Sequence, residues 1–421
     1  MVLSIFFMAN FAVASFLISA LIGHMALLSD TRSIRGQAMS PEWRVDLRPA
    51  VRSSPVRPMV TRQEAVGRPW SSLWFVNNNT IISTFIVHED GGRPQVSQRD
   101  NLDNTLPLRL RAVILDADTG KITTTRDWPT DSRMARIVAV HDGKLVTLAK
   151  SELTLYSPDL APIKSITLPA SSFGWSALPS PSGKNVLFFS ADFREGSWIW
   201  VETDSLKILS SWEDSPTGLP TISDKNLAAS TCWWGWECRS WKVNANGGAA
   251  CVENGPKCES KIQIRELSTG WKTIAAGEQY QHAQFVNDEM MFLPGKDRGK
   301  VIGIDGKVIL DEPKVYRSWG CGDTGVVPAA DGGRFIMPSC LWKGAVKSLD
   351  IGSHPVLMQI FVYDIGSQII QSKALDLKGP KIQNDMQFAI SPDGAKLAIL
   401  NDEFLEMFEL PPQAGGPRSQ K

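Results

Sequence analysis

The sequence predicts an all-β protein, a seven-bladed β-propeller that follows an N-terminal apolar leader or anchor helix. The first observation is a hairpin pattern of apolar run, polar turn and second apolar run, which occurs seven times between residues 70 and 410 of the 421-residue chain. The second observation is the spacing of the turns, which lie either 41 to 43 or 62 to 64 residues apart. Four-stranded blades repeat at roughly 40–45 residues, so the longer intervals indicate a blade with an insertion of about 20 residues.

The seventh copy shows the hairpin pattern most clearly. Its turn is Ser391-Pro392-Asp393-Gly394, in which Pro392 presets φ and Gly394 supplies a conformation that other residues resist. The seven turns contain Asn78, Asp142, Gly183, Asp224, Asp288, Asp331 and Asp393. A second hairpin follows in the first six copies and supplies the third and fourth strands, at residues 113–122, 153–159, 199–205, 262–270, 302–308 and 361–366.

The seventh copy lacks a fourth strand. Residues 404–410 read as a third strand, and Pro411 and Pro412 end it. Because an open edge carries an aggregation risk, we expect the missing strand to come from upstream of Trp74. Residues 43–47 and 57–61 are the two candidates, and either would close the ring non-covalently.

The N-terminal region has a separate character. Residues 1–28 are almost wholly apolar and long enough to span a bilayer, so they predict a signal peptide or a membrane anchor. The arginines that follow would favour a cytoplasmic C-terminal side, but the cysteines favour export. Residues 29–69 read as an Arg/Pro-rich linker that contributes the ring-closing strand, residues 70–410 as the propeller, and residues 411–421 as a disordered tail.

Two motifs carry a resemblance to a known group. The stretch from Ser391 to Leu400 resembles the repeat of bacterial WD40-like and YVTN-type β-propellers, and Asp116-Ala117-Asp118-Thr119-Gly120-Lys121 resembles their usual turn between third and fourth strands. The chain lacks the Gly-His and Trp-Asp pairs of true WD40 repeats. The resemblance implies a seven-bladed repeat protein, and such propellers serve as binding platforms and occasionally as enzymes, so fold does not decide function.

Three insertions account for the longer intervals. They cover about residues 88–107 in the first blade, 234–257 in the fourth and 342–355 in the sixth, and all fall between second and third strands. These loops share one face of a propeller, and loops carry function more often than frameworks do. We therefore place any ligand site on this face; neutral drift of surface loops is the alternative.

Six cysteines lie inside the predicted propeller, namely Cys232, Cys238, Cys251, Cys258, Cys321 and Cys340. Cys321 and Cys340 are equidistant from a turn near Ala330-Asp331, which predicts that they face each other as a disulfide. We favour pairing Cys232 with Cys238 around Gly235, and Cys251 with Cys258 around Asn254-Gly255. An even, locally grouped set suits an exported protein. A zinc site is the alternative, although the C-x5-C and C-x6-C spacings exceed the usual ones.

The chain contains none of the common catalytic or nucleotide-binding motifs. The candidate ligand-binding residues are His282, Tyr280, Arg317 and Trp319 at the mouth of the central channel, and Trp234 and Trp236 in the fourth-blade insertion. A structural histidine and a packed aromatic cluster are the alternatives. We predict no catalytic residue, no metal site and no cofactor. His141 falls in a short turn on the opposite face.

These patterns favour a binding function over an enzymatic one. We expect an exported platform, periplasmic or extracellular and possibly tethered by residues 1–28, that binds a protein or small-molecule ligand through its insertion-bearing face. We expect a monomer. Lys plus Arg equals Asp plus Glu at 44 each, so no net charge attracts nucleic acid.

The alternative function is that of a lactonase-like or quinoprotein-like enzyme. Such an enzyme would bring His282, Arg317, Asp90 and Asp323 together at the mouth of the central channel. A purely structural surface protein is a third possibility.

Overall fold

The computed structural model of the protein is a ring of seven β-sheets. The structure describes residues 37–51, 71–88, 107–132, 135–171, 174–190, 197–212, 220–231, 238–243, 249–254, 261–266, 269–276, 283–294, 298–313, 325–342, 355–366, 370–377, 386–401 and 404–413. No helix among them is long and apolar enough to span a membrane, and the predicted leader at residues 1–28 lies outside the described part of the chain.

The first described elements form a segment that we call the N-terminal strap, residues 37–51. It contains β1 (Gln37–Met39), β2 (Trp43–Asp46) and the one-turn helix α1 (Arg48–Val51). The strap precedes the first complete blade in sequence, but its strands belong to the last two blades.

The first three blades each consist of four consecutive antiparallel strands. Blade 1 contains β3 (Ser71–Asn77), β4 (Thr80–His88), β5 (Leu108–Asp116) and β6 (Ile122–Thr130). Blade 2 contains β7 (Arg136–His141), β8 (Lys144–Ala149), β9 (Glu152–Tyr156) and β10 (Pro162–Thr167). Blade 3 contains β11 (Trp175–Pro179), β12 (Asn185–Ser190), β13 (Trp198–Glu202) and β14 (Lys207–Trp212).

The fourth blade interrupts this regular order with a separate hairpin. It contains β15 (Pro220–Ile222), β16 (Leu227–Thr231), the inserted pair β17 (Cys238–Val243) and β18 (Ala249–Asn254), then β19 (Lys261–Glu266) and β20 (Lys272–Ala276). The strands β17 and β18 pair only with each other, as a two-stranded sheet. Blade 5 contains β21 (Gln284–Phe285), β22 (Met290–Pro294), β23 (Arg298–Gly303) and β24 (Val308–Pro313).

The last two blades are completed by the N-terminal strap. Blade 6 contains β25 (Val327–Pro328), β26 (Arg334–Trp342), β27 (Pro355–Ile365) and β28 (Ile370–Leu377), and blade 7 contains β29 (Gln387–Ile390), β30 (Lys396–Asn401) and β31 (Phe404–Glu409). The strand β1 adds to the outer edge of β28 in parallel, and β2 is the fourth strand of blade 7.

All seven predicted turns between first and second strands are present at the predicted residues. The turn of blade 2 shows why the residue types in a turn are enough to predict its position. Asp142 and Gly143 both have positive φ, 47° and 76°, as a two-residue turn that matches the twist of the flanking strands requires. In blade 7, Gly394 has φ 70°, as its place in the turn predicts.

The expected ring-closing strand is β2, which pairs antiparallel with β31 from Trp43↔Met407 to Asp46↔Phe404. The other candidate, residues 57–61, lies outside the described residues. After β2, the helix α1 carries the strap onto blade 1. There Arg111 donates hydrogen bonds to the carbonyls of Ala50 and Val51 at 3.4 and 2.9 Å. The strap therefore contacts three consecutive blades.

Apolar side chains fill the spaces between neighbouring blades. The described residues form one main buried cluster at each of the seven blade junctions. Leu47 and Val51 of the strap are fully buried in the cluster between blades 7 and 1. Trp198, Trp200 and Trp212 fill the junction of blades 3 and 4, so these tryptophans serve packing.

The outer strands of blades 1 to 5 share an irregularity that the sequence does not reveal. In each, the register with the third strand shifts by one residue shortly after the turn between them. The extra residues are Thr123, Ile163, Leu209, Ile274 and Ile309. Such a β-bulge twists an edge strand and hinders its pairing with a further strand. Blades 6 and 7 pair without this shift.

Candidate functional site

Alternating strand directions give the propeller two different faces. The turns from first to second and from third to fourth strands lie on one, which we call the short-turn face. The loops from second to third strands and the connections between blades lie on the other, which we call the insertion face. The three predicted insertions fall between β4 and β5, β16 and β19, and β26 and β27. That the insertions share one face stays a prediction, because most of their residues lie outside the described part of the chain.

The six candidate ligand-binding residues all lie outside the described part of the chain, namely His282, Tyr280, Arg317, Trp319, Trp234 and Trp236. The same holds for Asp90 and Asp323, which the enzyme alternative would bring to the channel. These assignments therefore stay predictions from the sequence.

The hairpin β17–β18 organises the fourth-blade insertion. Its register pairs Cys238 with Asn254 and Trp241 with Cys251, so the two strands meet around residues 244–248. Asn254, which we expected in a turn, is the last residue of β18. Cys232 and Cys258 lie outside the described residues, and both predicted disulfides of this insertion stay predictions.

The sixth-blade disulfide also stays a prediction, and its geometric basis shifts. The hairpin of β25 and β26 pairs Val327 with Ile336 and Pro328 with Phe335, which centres the turn between Asp331 and Gly332, one residue later than we expected. Cys340 lies in β26 opposite Met358 of β27. Cys321 lies outside the described residues.

One cluster of potential metal ligands occurs in the described part of the chain, on the short-turn face between blades 2 and 3. His141 ends β7, Asp142 is in the following turn, and Asp204 is in the turn after β13. The Nε2 atom of His141 lies 3.7 Å from a carboxylate oxygen of each aspartate. Its Nδ1 atom lies 3.2 Å from the carbonyl oxygen of Ser182. Three such atoms within 4.8 Å of one another could coordinate a cation.

A lysine already supplies positive charge to this cluster. The Nζ atom of Lys144 donates to Asp204 at 3.1 Å, so a metal ion would compete with it. The same arrangement occurs between blades 7 and 1, where Lys396 donates to Asp118 at 2.5 Å. In both cases a lysine at the start of a second strand reaches the turn between third and fourth strands of the next blade. We therefore interpret the cluster as a contact between blades.

Turn-to-turn hydrogen bonds join blades around the short-turn face. At five junctions, a donor or acceptor in the turn between first and second strands is bonded to the corresponding turn of the next blade. These contacts are His141 to Ser182, Ser180 to Asp224, Lys225 to Asp288, Asp331 to Pro392 and Asp393 to Asn78. Many polar groups of this face are thus used within the molecule.

The sequence did not predict these contacts because no local pattern links their partners. The contact of His141 with Ser182 joins residues 41 apart, and the ring-closing contact of Asp393 with Asn78 joins residues 315 apart. The regular spacing of the turns was the available signal, because turns one repeat apart meet when neighbouring blades pack.

No protein-family model matches the chain, and no curated protein matches it. Solved structures share its fold at low identity. A structure of the mitotic checkpoint complex aligns with a TM-score of 0.50 at 12% identity, over 90% of this chain and 94% of that chain. The WD40 domain of coronin from Toxoplasma gondii aligns with a TM-score of 0.45 at 11% identity, over 89% and 88% of the two chains.

The β-propeller domain of Cps50 (Swd1) from Myceliophteria thermophila aligns with a TM-score of 0.41 at 12% identity, over 78% of this chain and all of that domain. At such identities the likeness shows only the fold. The chain therefore has the fold of a seven-bladed β-propeller, and the resemblance to bacterial WD40-like and YVTN-type repeats stays an expectation.

Proposed function

We propose that the protein is a binding platform for another protein and that its partner docks on the insertion face. The observation that carries this proposal is the difference between the two faces. The short-turn face uses its turns to hold neighbouring blades together, with bonds such as Ser180 to Asp224 at 2.5 Å. All three long insertions fall between second and third strands, and we assign them to the opposite face. Long segments inserted into a compact framework are more often functional than the framework itself.

The fourth-blade insertion adds support because it has secondary structure of its own. Its strands β17 and β18 pair with each other and with no other strand that the structure describes. The residues just before β17 include Trp234 and Trp236, and tryptophan is enriched among the residues that dominate binding energy. A hairpin next to two tryptophans is a suitable contact element for a protein partner.

The proposal extends to an exported protein, periplasmic or extracellular, which residues 1–28 deliver or tether. Its support is the apolar N-terminal stretch and the even, clustered set of cysteines. Mass spectrometry of the mature protein provides the test. We expect an N-terminus before Gln37, so that the strap is retained, and no thiol that reacts with an alkylating agent before reduction. Six reactive thiols would contradict export.

The binding test compares three forms of the full chain. Tagged wild-type protein captures partners from its own cells, and the dissociation constant of each purified partner is then measured by interferometry. The first variant replaces residues 232–258 with a Gly-Ser linker, and the second carries W234S and W236S. The matched control is K225A on the short-turn face, where Lys225 is exposed and its ion pair with Glu289 contributes little stability.

We expect each insertion variant to weaken binding by at least about tenfold, since loss of a central aromatic contact typically removes 2 kcal/mol or more. K225A should bind as the wild type does. Circular dichroism checks that the variants are folded. Binding that survives both insertion changes but is lost in K225A would place the partner on the short-turn face and overturn the proposal.

A further inference from the structure

We draw no further inference here: the strongest candidate, the side-chain cluster of His141, Asp142 and Asp204 on the short-turn face between blades 2 and 3, belongs to the contact between blades already described, in which Lys144 donates to Asp204.

Discussion

At the scale of single residues, two separate physical constraints require glycine at position 183, which lies in a turn. Gly183 has φ +77°, which side chains disfavour. A Cβ atom there would also lie 2.1 Å from the carbonyl oxygen of Val140 in blade 2. The first reason is local and readable from the hairpin pattern. The second is a contact between blades, and it follows only from the assembled ring.

Alanine variants at Gly183 and Gly174 separate the cost of the positive φ from the cost of the close contact. Gly174 has nearly the same φ, +76°, but a Cβ atom there would have open space, with no described neighbour within 4 Å. We expect G174A to lower the free energy of unfolding by about 1 kcal/mol, the usual strain of a left-handed residue. G183A should lower it by about 3 kcal/mol or more, because the chain must also shift away from Val140. Urea denaturation measures both, and equal losses would show that the close contact is relieved without strain.

At the scale of elements, the pairing of β2 with β31 closes the ring and encloses a carboxylate. Glu406 of β31 is only 4% exposed, and Arg44 of β2 lies 3.6 Å from it. Burial raises the pKa of Glu406 above its usual 4.5, and the partly exposed Arg44 opposes this shift incompletely. The seam between the two chain ends therefore contains a carboxylate whose ionisation opposes folding.

The sign of the resulting pH dependence follows from the raised pKa. Above about 4.5 the unfolded chain ionises Glu406 more readily than the folded protein does, so the free energy of unfolding falls as pH rises through the folded pKa. We expect E406Q to be more stable than the wild type at pH 7 and equally stable at pH 4. Thermal melts at both values measure this.

The exposed Glu409 of the same strand supplies the control. Because its carboxylate is solvated in the folded protein, E409Q should follow the wild type at both pH values. An E406Q protein less stable than the wild type at pH 7 would mean that the pair with Arg44 outweighs burial.

At the scale of the whole molecule, closure of the ring depends on the N-terminal strap. The strap places β1 on blade 6, β2 in blade 7 and α1 on blade 1. It also buries Leu47 and Val51 completely at the junction of blades 7 and 1. In addition, the Trp43 side chain donates to the carbonyl of Ala117 in blade 1 at 3.0 Å. The N-terminal strap is therefore part of the fold.

Two truncations measure the contribution of the strap. Removing residues 1–36 retains every described contact and should leave the melting temperature within about 2 °C of the wild type. Removing residues 1–51 deletes the fourth strand of blade 7 and two buried apolar side chains. We expect this change to lower the melting temperature by about 10 °C or more and to promote aggregation through the opened edge. Equal melting of the two truncated chains would show that the ring closes without the strap.

Much of the architecture could be predicted because turn chemistry and apolar alternation are local. The turn around Asp142 and Gly143 requires positive φ, and residue type reports that requirement directly. The candidate site could be predicted less fully from the sequence. The prediction of His282 rested on its position just before a first strand, and that of Trp234 on an aromatic cluster beside two cysteines. Both residues lie outside the described part of the chain. The contact between Lys144 and Asp204 joins residues 60 apart, for which the sequence has no local signal.

Local sequence patterns were enough to predict the number of blades, the positions of their turns, the blades that carry insertions and the need for blade 7 to take its fourth strand from upstream. The pairing of β1 with the outer strand of blade 6 and the bulges in five outer strands appear only in the folded ring. The physical reason is that main-chain hydrogen bonds between strands are nearly independent of side-chain identity. Local residues thus specify that a strand forms, and only the assembled ring specifies its neighbour and register.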